Sequence, residues 1–359
     1  MLTGNKGEWS EVYALLKVVA DRQLYGGDAN LNKLENVVLP IVKVLRAESH
    51  GNYQYEIHQN IVVITGAGHE FRIPIADFQL HARNLLERIN TSTTTSFGIA
   101  EVESFITSFN CTSLKANSRV KSDIRIVLHD VVTSNTPELG FSIKSQLGSA
   151  STLLNAGKTT NFIYKIGGDE FPAVLVNEIN SINSGSKVKD RLALISSLGR
   201  PLSFVKLENP IFSNNLTLID SALPKILSEI VNLFYTSNYS KLKDLVEVIG
   251  SNNPLNFDIS ENHPFYSYKI KRLLTDIALG MMPSRVWSGE LEATGGYLVI
   301  REDGEVVSYH IYNRNDFEDY LLNNTKLETA STTRHEFGSI YESEGQQFIK
   351  LNLQIRFIK

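Results

Sequence analysis

Two short stretches contain the residues best suited to chemistry: Ser122-Asp123-Ile124, and Gly140-Phe141-Ser142-Ile143-Lys144-Ser145-Gln146. Along a strand successive side chains point to opposite faces. Phe141, Ile143 and Ser145 then share one face, and Ser142, Lys144 and Gln146 share the other. In the preceding stretch Ile124, Ile126 and Leu128 form an apolar face opposite Asp123, and residues 133–138, with Asn135 and Pro137, have the composition of a turn. A hairpin linking the two strands gathers a carboxylate, an ammonium and an amide on one face. A carboxylate holds Mg²⁺, which keeps waters and phosphate oxygens in its shell. The ion stabilises charge developing on a phosphate and acidifies a bound water. A neighbouring lysine orients that water and supports the pentavalent state. The chemistry is phosphodiester hydrolysis. The same residues also fit a plainer reading, in which Asp123 caps a strand and Lys144 protects a sheet edge from aggregation. Gln146 suits a structural hydrogen bond as well as a contact to phosphate or water.

Other candidate motifs fail on spacing. Ala156-Gly157-Lys158-Thr159 ends like a phosphate-binding loop, but Thr152 stands where that loop requires glycine. Gly66-Ala67-Gly68 lacks the third glycine of a dinucleotide fingerprint and reads as a turn. The eight histidines show no metal-ligand spacing, and His69, His129 and His335 read as surface or hydrogen-bonded residues. Cys111 is the single cysteine, which excludes a disulfide within the chain and a cysteine-rich zinc site.

Bulk composition sets wider limits. With 359 residues, 42% of them hydrophobic, the chain buries a substantial core, and wholesale disorder is excluded. A net charge of −4 excludes a histone-like polycation, yet residues 115–165 carry seven Lys/Arg against three Asp/Glu, and this span contains the candidate residues. The polar opening residues lack an apolar signal region, and no apolar run approaches the ~20 residues of a membrane span. A cytoplasmic location without a membrane partner is expected.

Hydrophobic periodicity supplies the elements that must position the candidate residues. Helical spacing predicts helices over 8–19, 78–89, 100–109, 172–180, 266–281 and 317–322, and a mostly helical stretch from 187 to 249 that includes a helix over 223–235. Strands are expected at 53–57, 61–65, 71–75, 122–132, 139–147, 160–166 and 348–358, with a hairpin of 297–300 and 305–312 around Glu302-Asp303-Gly304. The apolar run 37–45 contains Pro40 and is ambiguous. These elements describe a mixed α/β (α+β) protein with a central mixed sheet flanked by helices. The expected division is 1–182 as the core with the catalytic hairpin, 183–290 as a mainly helical section, and 291–359 as a strand-rich C-terminal section that contacts DNA.

An Asp followed by a hairpin and then x-Lys on the next strand resembles the PD-(D/E)xK nuclease superfamily. More narrowly, the chain resembles the HpaII family of type II restriction endonucleases, nearly end to end. The segments that carry the likeness are Gly4-Asn5-Lys6-Gly7-Glu8-Trp9-Ser10-Glu11, Glu138 through Ser149, Tyr312-Asn313-Arg314-Asn315 with Phe317-Glu318-Asp319-Tyr320, and Leu351-Asn352-Leu353-Gln354-Ile355-Arg356-Phe357. The resemblance implies a restriction-endonuclease-like core and Mg²⁺-dependent cleavage of double-stranded DNA at a short palindrome, with CCGG the expected word and 5′-phosphate ends. A palindrome is most simply met by a two-fold homodimer. A cognate DNA methyltransferase is the expected companion, because a host must protect its own sites. The chain departs from the superfamily pattern at Ser122, where a proline is usual, and at Ser142, where an acidic residue is usual.

The resemblance also distributes roles. Asp123, Ile143 and Glu8 are the candidate metal ligands; Lys144 positions the attacking water, with Ser142 and Gln146 beside it. The carboxylate missing at 142 is expected from the first helix, from Glu8 or else Glu11, although acidic residues also favour a first helical turn for its dipole alone. Guanine is read best by Arg or Lys, so Arg334, in the polar loop with Thr332 and Thr333, is the candidate base reader, and Asn313 and Arg314 are candidates near the backbone. An ordinary solvated loop explains most of these residues equally well. Two rival functions remain: a sequence-specific DNA-binding protein that has lost its chemistry, with Ser142 as the scar, and a repair nuclease of the same fold without a defined site.

Overall fold

The computed structural model describes residues 2–115, 122–130 and 133–359. The first lobe runs α1 (Lys6–Asp21), β1 (Gln23–Gly27), β2 (Lys33–Glu48), β3 (Gly51–Ile57), β4 (Ile61–Gly66), β5 (His69–Pro74), α2 (Ile75–Thr91), α3 (Ala100–Thr107), β6 (Ile124–Leu128) and β7 (Glu138–Ser145). There follow β8 (Thr152–Leu154), β9 (Asn161–Ile166), α4 (Ala173–Ser181), α5 (Lys187–Ser197), β10 (Leu202–Leu207), α6 (Pro210–Ile219), α7 (Leu223–Thr236), α8 (Leu242–Asn252) and α9 (Phe265–Leu279). The chain closes with β11 (Gly296–Ile300), β12 (Val306–His310), α10 (Arg314–Asn323), β13 (Thr325–Leu327), α11 (Thr332–His335), β14 (Ile340–Ser343), β15 (Gln346–Asn352) and β16 (Ile355–Phe357).

α1 begins on a capping box. The Asn5 side chain accepts from the Glu8 main-chain N–H, and the Glu8 carboxylate accepts from that of Asn5 at 2.8 Å. Trp9, Ser10, Val12 to Leu16 and Val18 to Ala20 are all buried, so the helix is enclosed on nearly every side. What encloses it is α2 and a nine-stranded mixed sheet in the order β1-β12-β11-β7-β6-β2-β3-β4-β5. The pairs β1/β12 and β7/β11 are parallel; the rest are antiparallel.

The expected mixed helix-and-sheet class is present, but the sheet is no flat layer. The first half of β2 pairs with β1 (Leu39 opposite Leu24) and its second half with β6 and β3, so six strands close into a barrel. Pro40 sits where β2 changes partners. Lacking an N–H it donates to neither neighbour, while its carbonyl accepts from His129 N at 2.8 Å. The run 37–45, ambiguous by pattern, is therefore a strand.

A second core lies under the antiparallel sheet β10-β9-β15-β14, packed against α5 and α7, and a three-stranded sheet β13-β16-β8 adjoins it. Residues 291–359 contribute strands to all three sheets. Several expectations need correction. β10 interrupts the mostly helical stretch from 187 to 249, the terminal strand 348–358 is broken between β15 and β16, and the polar segment 331–335 is a helical turn rather than a loop. The strand expected over 122–132 is observed over Ile124–Leu128; positions 131 and 132 lie outside the described residues. Among the described residues no helix is long and apolar enough to cross a membrane.

One buried device bears directly on the cleft described below. Arg46 and Glu48 on β2 pair at 2.7 Å with both side chains almost fully buried. Glu48 also accepts from Ser113 Oγ at 2.8 Å, and Arg46 donates to the Ser113 carbonyl at 2.7 Å. Each charge is thus matched, which is the condition for burying an ion pair. The network fixes the segment after α3 and delivers Lys115 beside α1.

Candidate active site

The site forms where β6 ends. Asp123 N donates to the Phe141 carbonyl at 2.8 Å, the last main-chain bond of that edge. Beyond it the Asp123 side chain replaces the ladder: Oδ2 accepts from Ile143 N at 2.7 Å and from Ser142 Oγ at 3.1 Å. Neither bond uses Oδ1. Gly140 allows the close approach, since a Cβ there would stand 2.8 Å from that of Ser122. Main-chain groups two residues apart point to the same side of a strand. The Ile143 carbonyl therefore follows that of Phe141 toward the side where Asp123 sits, past the end of β6.

Lys144 projects from the other side of β7 over β11, whose Tyr297 is in register with Ser142 and Val299 with Lys144. Its Nζ stands 5.0 Å from the centroid of the Tyr297 ring. Burial pulls the ammonium below its ordinary pKa, while Asp123 and then Glu11 oppose that shift. Gln146 anchors the strand through its main-chain N–H to the Ile300 carbonyl at 2.9 Å, and its side chain lines a narrow recess of about 20 Å³ with Lys144, Tyr320 and Asn324.

On the opposite side Ser10 of α1 and Ser145 of β7 join hydroxyls at 2.8 Å, which holds the helix against the strand. Here an open cleft of about 800 Å³ is lined by Glu8, Glu11, Lys115, Ile143, Ser145 and the hydroxyls of Ser92, Thr93, Thr94 and Thr95. Ser145, Ser151 and Lys359 border both cleft and recess. The two helix carboxylates differ. Glu8 is committed to the Asn5 N–H and to Lys115 at 3.0 Å, and these two partners, in that order, hold it below the usual carboxylate range. Glu11 lines the cleft, and its charge, unlike that of Glu8, is felt by Lys144. Lys115 responds to Glu8 first, then to Glu11 and Asp123, so the three carboxylates share one electrostatic neighbourhood.

The structure thus brings together Asp123, Ser142, Ile143 and Lys144, with Glu11 and Gln146 at the margins. Among the described residues no three His, Cys, Asp or Glu side chains converge closely enough to hold a metal by themselves. The donors available are a carboxylate and a main-chain carbonyl, an all-oxygen set that suits a hard cation retaining several waters, as Mg²⁺ does.

The candidate DNA contacts lie elsewhere. Arg314 pairs with Glu318 at 2.7 Å within α10, and Asn313 ends the short turn before it. Arg334 is exposed on α11, and Thr332 and Thr333 line a separate groove of about 420 Å³ with Lys187, Arg191 and Lys350. None of them lines the cleft beside α1 or the recess at Lys144.

Pattern reading missed Ser10, Lys115 and Tyr297. Tyr297 alone left a signal, because in a strand that begins beside β7 its alternate positions, Tyr297 and Val299, must share a face with Lys144.

A sequence model of the HpaII restriction endonuclease family matches residues 5–357. The "Type II restriction enzyme HpaII" of Haemophilus parainfluenzae is 50% identical over 359 residues, spanning 99% of this chain and 99% of that protein. No solved structure matches.

Proposed function

The chain belongs to the HpaII restriction endonuclease family, and on that premise we propose that it hydrolyses both strands of DNA at a short palindrome, with CCGG the expected word, in a Mg²⁺-dependent reaction that leaves 5′-phosphates. The observation that supports this reading best is the Asp123 carboxylate, seated on the Ile143 N–H beside the Lys144 ammonium. These are the Asp and the Lys that the PD-(D/E)xK pattern calls for. Asp123 and the Ile143 carbonyl would hold the ion, and Glu11, which lines the cleft and whose charge acts on Lys144, would be the acidic residue of α1 that assists. When bound, the ion supplies Lewis acidity toward the scissile phosphate and its water. Lys144 donates to and orients the attacking water and offsets charge on the phosphorane. Gln146 borders the same recess and assists. Ser142, where the superfamily is acidic, donates its hydroxyl to Asp123; a second carboxylate there would repel the first. This bond makes Ser142 a support for the site and weighs against its being the scar of a lost activity.

Plasmid incubated with purified protein and Mg²⁺ should give discrete fragments whose sequenced ends share one palindrome. A smear would point to a nuclease without a defined site, and intact plasmid with site-specific retention to a binder alone. Base reading is assigned to Arg334, with Thr332 and Thr333 beside it and Asn313 and Arg314 near the backbone; unchanged rate and site choice in Arg334→Ala would dismiss its part. A homodimer on the palindrome and a cognate methyltransferase complete the proposal.

The two helix carboxylates should separate cleanly. Glu11→Gln is expected to slow cleavage by roughly 10–100-fold with little change in melting temperature. Glu8→Ala should cost about 1 kcal/mol of stability through the cap and leave the cleavage step nearly intact. Single-turnover rates beside thermal melts distinguish them, and the reverse pattern would return the role to Glu8.

A further inference from the structure

We propose that Tyr297 is a positioning residue for cleavage: the face of its ring holds the Lys144 ammonium in place and keeps it from closing onto Asp123. The inference rests on the assignment of Lys144 as the lysine that orients water, and it adds the element that fixes where that lysine points.

The geometry carries it. Nζ lies 5.0 Å from the ring centroid, within the range of a cation–π contact. The ring itself has no freedom. It is 1% exposed and meets Phe317 edge-on at 5.3 Å, with Phe357 at 6.2 Å. Parallel register with β7 sets Tyr297 opposite Ser142, one alternate position before the partner of Lys144, so the ring lies under the path of the lysine side chain. Asp123 and Glu11 act on Lys144 through space, and Asp123 spends Oδ2 on Ile143 and Ser142. A lysine beside a carboxylate ordinarily collapses into an ion pair, which here would occupy the oxygen needed for a cation. The electron-rich ring face offers the ammonium a competing seat at a fixed distance. A leucine would fill the space without attracting charge.

The ring's electrostatics can be varied at nearly constant shape. Tyr297→Phe should cleave within about twofold of the parent. Phenylalanines bearing one, two and three ring fluorines at position 297 should then cleave progressively more slowly, falling by roughly tenfold to thirtyfold in all, because each fluorine drains the ring face that a desolvated cation meets. Affinity for the target duplex without divalent metal should not change along the series, and in a Lys144→Ala background the fluorine dependence of any residual rate should vanish. Because the series varies little in volume, a packing role would give flat rates, and flat rates overturn the proposal. If Tyr297→Leu misfolds, the fluorinated series still decides. Should Lys144→Ala itself cut normally, the underlying assignment falls first; an inactive Lys144→Ala with a flat series removes only the role of Tyr297.

Discussion

Lys144→Ala should fold, bind its target duplex with near-parental affinity, and cleave at least about three orders of magnitude more slowly, a loss of roughly 4 kcal/mol in the transition state. Burial already disfavours the ammonium in the folded protein, so removing it relieves a desolvation term while giving up the contact of Nζ with the Tyr297 ring. These effects on stability are opposed and small. In the proposed role nothing similar would offset the loss in the reaction, because the positive charge of Lys144 would meet a phosphate as it gains negative charge. A group that contacts both water and phosphorane, as proposed for Lys144, would not be replaced by bulk solvent at the end of a recess of about 20 Å³. Rapid-quench single turnovers with Mg²⁺, paired with gel shifts without it, separate the two effects. Cleavage within tenfold of the parent would remove Lys144 from the chemistry.

How much of this was legible beforehand varies by element, for physical reasons. Asp123, Ser142 and Lys144 could be placed together because a strand period of two and a turn between strands dictate which side chains meet; the structure bonds Asp123 to the Ile143 N–H and the Ser142 hydroxyl, and Lys144 feels its charge without a hydrogen bond to it. α1 was readable from its apolar stripe, and its true start at Lys6 follows from the Asn5 cap. The choice between Glu8 and Glu11 was not readable. What the fold adds is that Glu8 pairs with Lys115, more than a hundred residues away in sequence, on a segment held by the buried Arg46–Glu48 pair. Barrel closure was equally hidden, because Pro40 looks like a strand breaker in a string of letters and becomes tolerable only where β2 passes from β1 to β6. The polar turn at Thr332 to His335 lacked any apolar periodicity to announce a helix; the Ser331 hydroxyl, accepting from Arg334 N at 3.4 Å, holds it.

Asp123→Asn tests the same proposal from the acidic side and should be almost as severe, with cleavage reduced about a thousandfold or more even at saturating Mg²⁺. The substitution is informative because it preserves shape and one kind of interaction. An asparagine carbonyl oxygen can still accept from Ile143 N and Ser142 Oγ, the two bonds that finish the β6–β7 edge. Thermal stability should therefore stay close to that of the parent. What disappears is the negative charge, and with it the affinity for a hard cation and one of the two acidic neighbours that favour a charged Lys144. Asp123→Ala removes the acceptor as well, leaves the Ile143 N–H unmet, and should lose a further ~1–3 kcal/mol of stability on top of the same catalytic defect. Measured together, melting curves and Mg²⁺ titrations of the single-turnover rate divide the residue into a structural part, shared by Asp and Asn, and an electrostatic part, present only in Asp. If the Asp123→Asn protein cut DNA at a tenth of the parental rate or better, Asp123 would be a strand cap and nothing more, since the hydrogen bonds to Ile143 and Ser142 would then account for its presence without any ion.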